Sequence, residues 1–233
     1  MIVVVVFIFL ALLVISSVNA SIIINNSLIN EDSSLGLSAC LQNPSTCIQT
    51  DLGWVQGHIN GANVREWTGI QYGKAPIGEL RWEDPVSPVP YYGIYEANFK
   101  APGCSQVCTL PPGYCPITTS EDCLYLSVWA PLQPSSTKYL KGYPVHLWIH
   151  GGFFTEGAGN TPIYNGTNFA LKNIITVVIN YRLGALGFLA FPSSTGNYGL
   201  KDQRLALLWI KKNIASFGGN PNSITIAGQR YNI

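Results

Sequence analysis

Residues 223–233 read SITIAGQRYNI. Positions 223–227 carry Ile224, Thr225 and Ile226 in succession, a β-branched run that predicts a short strand ending at Gly228. A strand that turns sharply at a glycine into a helix is the setting in which the pattern G-x-S-x-G lifts a nucleophilic serine clear of the backbone. Here the pattern is broken. Gly228 takes the first glycine's place, Gln229 and Arg230 follow, and Asn232 stands where the second glycine belongs. Arg230 therefore occupies the nucleophile position, and a guanidinium, always protonated and a donor only, attacks nothing.

Working back from that turn, residues 124–130, 145–150 and 174–181 are continuous apolar runs like 223–227. Runs without strict alternation predict strands covered on both faces. Between the last two, residues 200–217 have helical spacing, with Asp202 near the start and Lys211 and Lys212 near the end, each sign suiting the helix dipole. Gly218 and Gly219 end that helix. Strand, helix, strand at this spacing makes a right-handed crossover, hence an α/β chain with a mostly parallel central sheet. Ahead of it, residues 53–59 and 65–72 read as an N-terminal antiparallel hairpin. Residues 76–90 are a proline-punctuated loop.

The chain has 233 residues, 47% hydrophobic, enough for a sizeable core in one domain or two. Only 11% of residues are charged and the net charge is +1, which offers no footprint for nucleic acid or an anionic membrane and points to small neutral or apolar partners. Residues 1–20 carry an unbroken apolar run from Ile2 to Ile15 followed by short side chains up to Ala20. This is the form of a secretory signal peptide, shorter than the roughly 18 apolar residues of a membrane span. The predicted product is secreted, with no membrane span. Residues 21–50 are polar, rich in Asn and Ser, and read as a loose segment; the folded domain is assigned to 51–233.

Six cysteines follow the leader: Cys40, Cys47, Cys104, Cys108, Cys115 and Cys123. An even count in a secreted chain reads as disulfides, and although six allow 15 connectivities, the clustering favours Cys40 with Cys47 and a nested pair, Cys104 with Cys123 around Cys108 with Cys115. No C-x-x-C pair or nearby histidine supports zinc, so no metal and no cofactor is expected. Asn25 and Asn165 match the N-glycosylation pattern, whereas Asn43 is excluded by Pro44.

Several stretches then converge. Residues 69–82 read GIQYGKAPIGELRW, 120–129 SEDCLYLSVW, 148–154 WIHGGFF, 180–188 NYRLGALGF and 196–209 GNYGLKDQRLALLW. In this order they resemble the type-B carboxylesterases and cholinesterases, over about residues 51–228. The resemblance implies an α/β-hydrolase fold, of which this chain would be the N-terminal part up to the nucleophile elbow. It also implies ester hydrolysis through a serine acyl-enzyme, with a small ester as substrate, and a chain much larger than this one. It makes Gly151, Gly152 and Phe153 the candidates for the oxyanion loop, with His150 ahead of them. Backbone N–H groups there stabilise the developing oxyanion. Phe153 replaces the third glycine, which displaces or blocks that donor. The family's base histidine lies far beyond the elbow, so His150 is read as ordering the loop, and His58 and His146 sit in strand-like settings without an implied partner. Glu121 and Asp122 could pass for a carboxylate pair, but the resemblance implies structural salt bridges, Glu121 to Arg81 and Asp202 to Arg182. The loop from Cys104 to Cys123 matches the family's first disulfide loop and contains no Trp. Cholinesterases hold a quaternary ammonium on a tryptophan in that loop by cation–π attraction, so choline esters are disfavoured.

Three readings follow. The first is a secreted carboxylesterase-like protein that, lacking the serine and the downstream acid and histidine, is inactive as given. The second is a non-catalytic binding or adhesion protein of the same family, for which a protein partner is expected. The third is a truncated gene product without function.

Overall fold

The computed structural model describes residues 40, 44–133, 139–192 and 194–229. The leader, Asn25 and Arg230 lie outside these residues. In chain order the strands are β1 (Cys47–Thr50), β2 (Gly53–Gln56), β3 (His58–Ile59), β4 (Val64–Gln71), β5 (Ile94–Glu96), β6 (Gly103–Cys104), β7 (Thr119–Ser120), β8 (Tyr125–Pro131) and β9 (Tyr143–Ile149). A short helix α1 (Thr167–Ala170) leads into β10 (Ile175–Ile179), and α2 (Gly184–Phe188) and α3 (Tyr198–Asn213) precede β11 (Gly219–Gly228).

Six strands form the main sheet in the order β11-β9-β10-β8-β4-β3. β11, β9 and β10 run parallel, while β8 is antiparallel to β10, β4 to β8 and β3 to β4. The partial α/β-hydrolase fold is present, but the sheet is mixed, with parallel pairing confined to its β11-β9-β10 end. The reason lies in the connections. The connections that carry α1, from Ile149 to Ile175, and α3, from Ile179 to Gly219, are long enough crossovers to return the chain parallel, whereas the β3–β4 turn is tight and forces an antiparallel partner. Only the end of the expected hairpin's first arm pairs with its second, as β3 with β4; Gly53–Gln56 instead forms a hairpin with β1 and pairs parallel with β5 in a separate three-stranded sheet, because the short arm is drawn to the nearer neighbours. Cys47–Thr50 is thus strand, so ordered structure begins ahead of Asp51, inside the segment read as loose.

The core explains the helix. Ala206, Trp209, Ile210, Ile214 and Phe217 recur at helical spacing and are buried against Trp67, Val128, Val145, Leu147 and Val177 of the sheet. Phe217 meets Trp67 edge-on at 4.9 Å between ring centroids; burying such a side chain is worth roughly 1.5–3 kcal/mol. The helix proper stops at Asn213, where the chain tightens into turns: Gly218 and Gly219 donate to the carbonyls of Ala215 and Ile214. Lys211 and Lys212 are in its last turn, but Asp202 is not in its first. Asp202 is fully buried and faces Arg182, so its role is pairing rather than complementing the dipole.

β8 and β10 are covered on both faces, as continuous apolar runs should be. β9 is not. Tyr143, Val145 and Leu147 face the core, and His146 and Trp148 on the other face are only half-buried against Phe169 and Tyr164. β11 pairs on one side only among the described residues, and Ile226 is 53% exposed. An apolar run at an edge looks in sequence like one at the centre, and this is where the two-sided expectation fails.

One buried charge escaped the sequence reading. Arg65 donates to the carbonyls of Pro131 (2.8 Å), Phe217 (3.0 Å) and Ser45 (3.3 Å). It thereby fastens the exit of α3 to the sheet. Burial lowers its pKa from the ordinary arginine value.

Candidate oxyanion loop

β9 delivers the chain to His150 at the same end of the sheet at which β11 delivers it to Gln229. The loop that follows His150 closes on itself. Thr155 and Glu156 both donate their N–H to the Gly152 carbonyl, at 2.9 and 3.0 Å. Gly152 has φ +115°, and a Cβ there would lie 2.0 Å from the Glu156 carbonyl oxygen, so only glycine fits. Phe153 and Phe154 follow with φ of +53° and +63°. Two successive non-glycine residues in the left-handed region cost about 1–2 kcal/mol each. Phe153 holds the backbone conformation that a glycine would adopt freely, with its ring about half exposed. Phe154 is fixed by its carbonyl, which accepts from the Gly184 N–H at 2.6 Å, and by its ring against Phe188 at 4.8 Å.

Gly151 lies against the end of β11. A Cβ on it would stand 2.5 Å from the Gln229 carbonyl oxygen, and the Gln229 N–H donates to Ile149 O at 3.2 Å. The Tyr164 hydroxyl reaches the Gln229 side chain at 2.5 Å. The glycine loop and the residue before position 230 are thus held together. Among the described residues, the N–H groups of Gly151 and Gly152 donate to no acceptor.

His150 is buried with its ring stacked on Tyr181 at 4.5 Å. Its Nδ1 lies 2.8 Å from Gly151 O; a carbonyl only accepts, so Nδ1 carries the proton. Burial lowers its pKa to about 4. A neutral, buried ring that gives its Nδ1 proton to its own loop fits an ordering part; its Nε2 is buried without a hydrogen-bond partner among the described residues. Tyr181 completes the arrangement by donating its hydroxyl to His150 O at 3.0 Å. The other two histidines have other settings: His58 is on β3, and His146, four residues back along β9, stacks on Phe169 at 4.8 Å.

The remaining candidates fall into separate places. Glu121 takes both Nε and Nη2 of Arg81 at 2.6 Å. Asp202 takes Nε, Nη2 and the backbone N–H of Arg182 at 2.7–2.9 Å. Burial is the larger effect on Asp202 and raises its carboxyl above the usual range in spite of those donors. Three disulfides join Cys40 to Cys47, Cys104 to Cys123 and Cys108 to Cys115. Asn165 is exposed just ahead of α1, its Oδ1 accepting from Thr167 N at 2.9 Å. Gln106, Glu156, Tyr164 and Tyr181 also shape the loop, and no sequence pattern singled them out. Among the described residues no group of three or more His, Cys, Asp or Glu side chains is placed to hold a metal ion.

A model of the carboxylesterase family matches residues 44–230. The chain is 41% identical over 186 residues to the cAMP-regulated D2 protein of Dictyostelium discoideum, covering 79% of this chain and 34% of that protein. It is 38% identical over 201 residues to the fumonisin B1 esterase of Sphingopyxis macrogoltabida, covering 83% and 36%. Among solved structures, a PNB esterase superposes with TM-score 0.74 at 38% identity, covering 80% of this chain and 39% of that one. The chain spans about a third of the length of the curated relatives it matches.

Proposed function

The chain belongs to the carboxylesterase family, and from that membership we propose that it is a secreted, carboxylesterase-like protein carrying the oxyanion side of an ester-hydrolysing site but not its nucleophile. One observation carries the reading: Gly151, whose N–H like that of Gly152 donates to no acceptor among the described residues, sits against Gln229, the neighbour of the nucleophile position. Ester hydrolysis needs backbone donors beside the attacking atom, because the carbonyl oxygen takes its negative charge within hydrogen-bond reach of both. On this proposal Gly151 and Gly152 supply the donor side. The attacking side is Arg230, which cannot form an acyl-enzyme.

Secretion belongs to the same proposal. Its supports are the apolar run in residues 1–20, three disulfides and the exposed Asn165. Among the described residues no helix is long and apolar enough to cross a membrane. N-terminal sequencing of secreted material should begin at Ser21, and an intact leader in a membrane fraction would contradict this.

The catalytic half is tested with a p-nitrophenyl ester. The 233-residue chain should give no turnover above a heat-denatured control, and Arg230→Ser should not restore it. His58 is on β3, His146 stacks on Phe169, and His150 is a buried neutral ring whose Nδ1 serves its own loop, so none of the chain's three histidines is arranged as the base for a new serine. Turnover by the unmodified chain would overturn the proposal.

A further inference from the structure

The glycine loop is gripped from behind by the doubly bridged loop between Cys104 and Cys123. Gln106 faces Gly157 with both ends of its amide: Oε1 accepts the Gly157 N–H at 2.6 Å and Nε2 donates to Gly157 O at 2.7 Å. The same Nε2 donates to Cys104 O at 2.9 Å, which ties Gln106 to the bridged cysteine. A second grip lies one residue back. The Glu156 carboxylate accepts from Thr109 N at 2.5 Å and from Thr109 Oγ1 at 3.1 Å. Thr109 directly follows Cys108, which is bridged to Cys115. Each grip therefore starts beside a disulfide and ends on Glu156 or Gly157.

Those two residues set the turn. Glu156 N is one of the two donors that close the loop on Gly152 O. Gly157, at φ +101°, backs onto Gly151 so closely that a Cβ on it would stand 2.6 Å from Gly151 O and 2.8 Å from His150 Nδ1. We infer that Gln106 is a positioning residue for the oxyanion loop, acting with the Glu156–Thr109 contact to hold the Gly151 and Gly152 N–H groups in place. This rests on the oxyanion reading for its purpose, though not for its test. Without the clamp the turn would lose its anchors at Glu156 and Gly157, and the segment after the two left-handed phenylalanines would relax although Phe154 stays tied to Gly184 and Phe188. The nested bridge has a role on this account: it fixes the Thr109 N–H, a backbone donor that no side-chain substitution could supply.

The test is amide hydrogen exchange on the 233-residue chain, comparing wild type with Gln106→Met and Gln106→Glu. Methionine keeps the volume and loses all three hydrogen bonds of the amide; glutamate keeps the oxygen that accepts Gly157 N–H. Gln106→Met should speed exchange by about tenfold at Gly157 and also at Thr155 and Glu156, with β10 amides unchanged. Gln106→Glu should retain protection at Gly157. Wild-type protection at Thr155 and Glu156 in the methionine variant would overturn the inference, as would a uniform rise across the sheet, which would mark a general packing role. If Gln106→Met does not fold, Glu156→Met is read at Thr155 in the same way. A failed clamp leaves ester chemistry untouched, and ester turnover by the unmodified chain leaves the clamp untouched, so the two failures are distinguishable.

Discussion

Gly151 and Gln229 meet backbone to backbone: a Cβ on Gly151 would come within 2.5 Å of the Gln229 carbonyl oxygen. The contact joins the ends of two parallel neighbours, β9 and β11, which pair as far as Ile149 and Gly228. The proposed oxyanion loop and the turn leading to position 230 thus leave adjacent strands at one end of the sheet, the juxtaposition that an ester-hydrolysing site would need.

That contact makes Gly151→Ala a sensitive probe. The methyl group must displace backbone rather than the tip of a flexible side chain, so a loss of about 1–3 kcal/mol is expected. Urea denaturation should show a lower midpoint with an unchanged slope. An unchanged midpoint would mean that the two loops are not held as described.

The buried pair of Arg182 and Asp202 predicts an asymmetry. Arg182→Met leaves a fully buried carboxylate with only the backbone N–H of residue 182 as a donor, the two guanidinium donors gone, and should cost about 3–5 kcal/mol. Replacing both, Arg182→Met with Asp202→Leu, should recover most of that, since an apolar pair avoids the burial cost. Denaturation of the single and double variants reads this directly. A double variant as unstable as the single would contradict it.

His150 predicts a pH dependence with a definite sign. Its pKa in the fold is about 4 through burial, below the ordinary 6.5. Between these values the unfolded chain binds the proton and the folded chain does not, so stability rises with pH across that window. The contribution is fully present above about pH 6.5 and lost on acidification toward pH 4, on the order of 3 kcal/mol in all. His150→Gln should flatten the stability profile between pH 4 and 6.5 relative to wild type. A profile unchanged in slope would show that His150 is not buried neutral.

Asn165 should carry a glycan in secreted material, since its position is exposed and its sequon intact. Asn165→Gln should remove one mobility shift sensitive to an N-glycosidase; an unshifted wild type would contradict this.

Much of the fold was legible in the residues. The apolar runs that became β8 and β10, the helical spacing of Ala206, Trp209 and Ile210, and the paired cysteines all encode burial or covalent linkage, which composition and period report. Strand direction and edge position were less legible. They depend on which neighbour a strand finds, and Ile226 at the edge reads like Val177 at the centre. At the site, Gly151, Gly152 and Phe153 stood out by pattern. Gln106 and Glu156 did not, because a polar side chain in a loop carries no periodicity, and their importance comes from contacts across 51 and 47 positions in the chain.

The central claim, donors without a nucleophile, is tested most directly by incubating the purified 233-residue chain with a fluorophosphonate probe and mapping any adduct by mass spectrometry. A phosphonate captures an activated serine by forming the Oγ–P bond and expelling fluoride, and it needs the base and oxyanion donors that an ester would need. The native chain should keep an unmodified mass, the same as the denatured control. A stoichiometric adduct at one defined serine in the native chain, absent after denaturation, would contradict it.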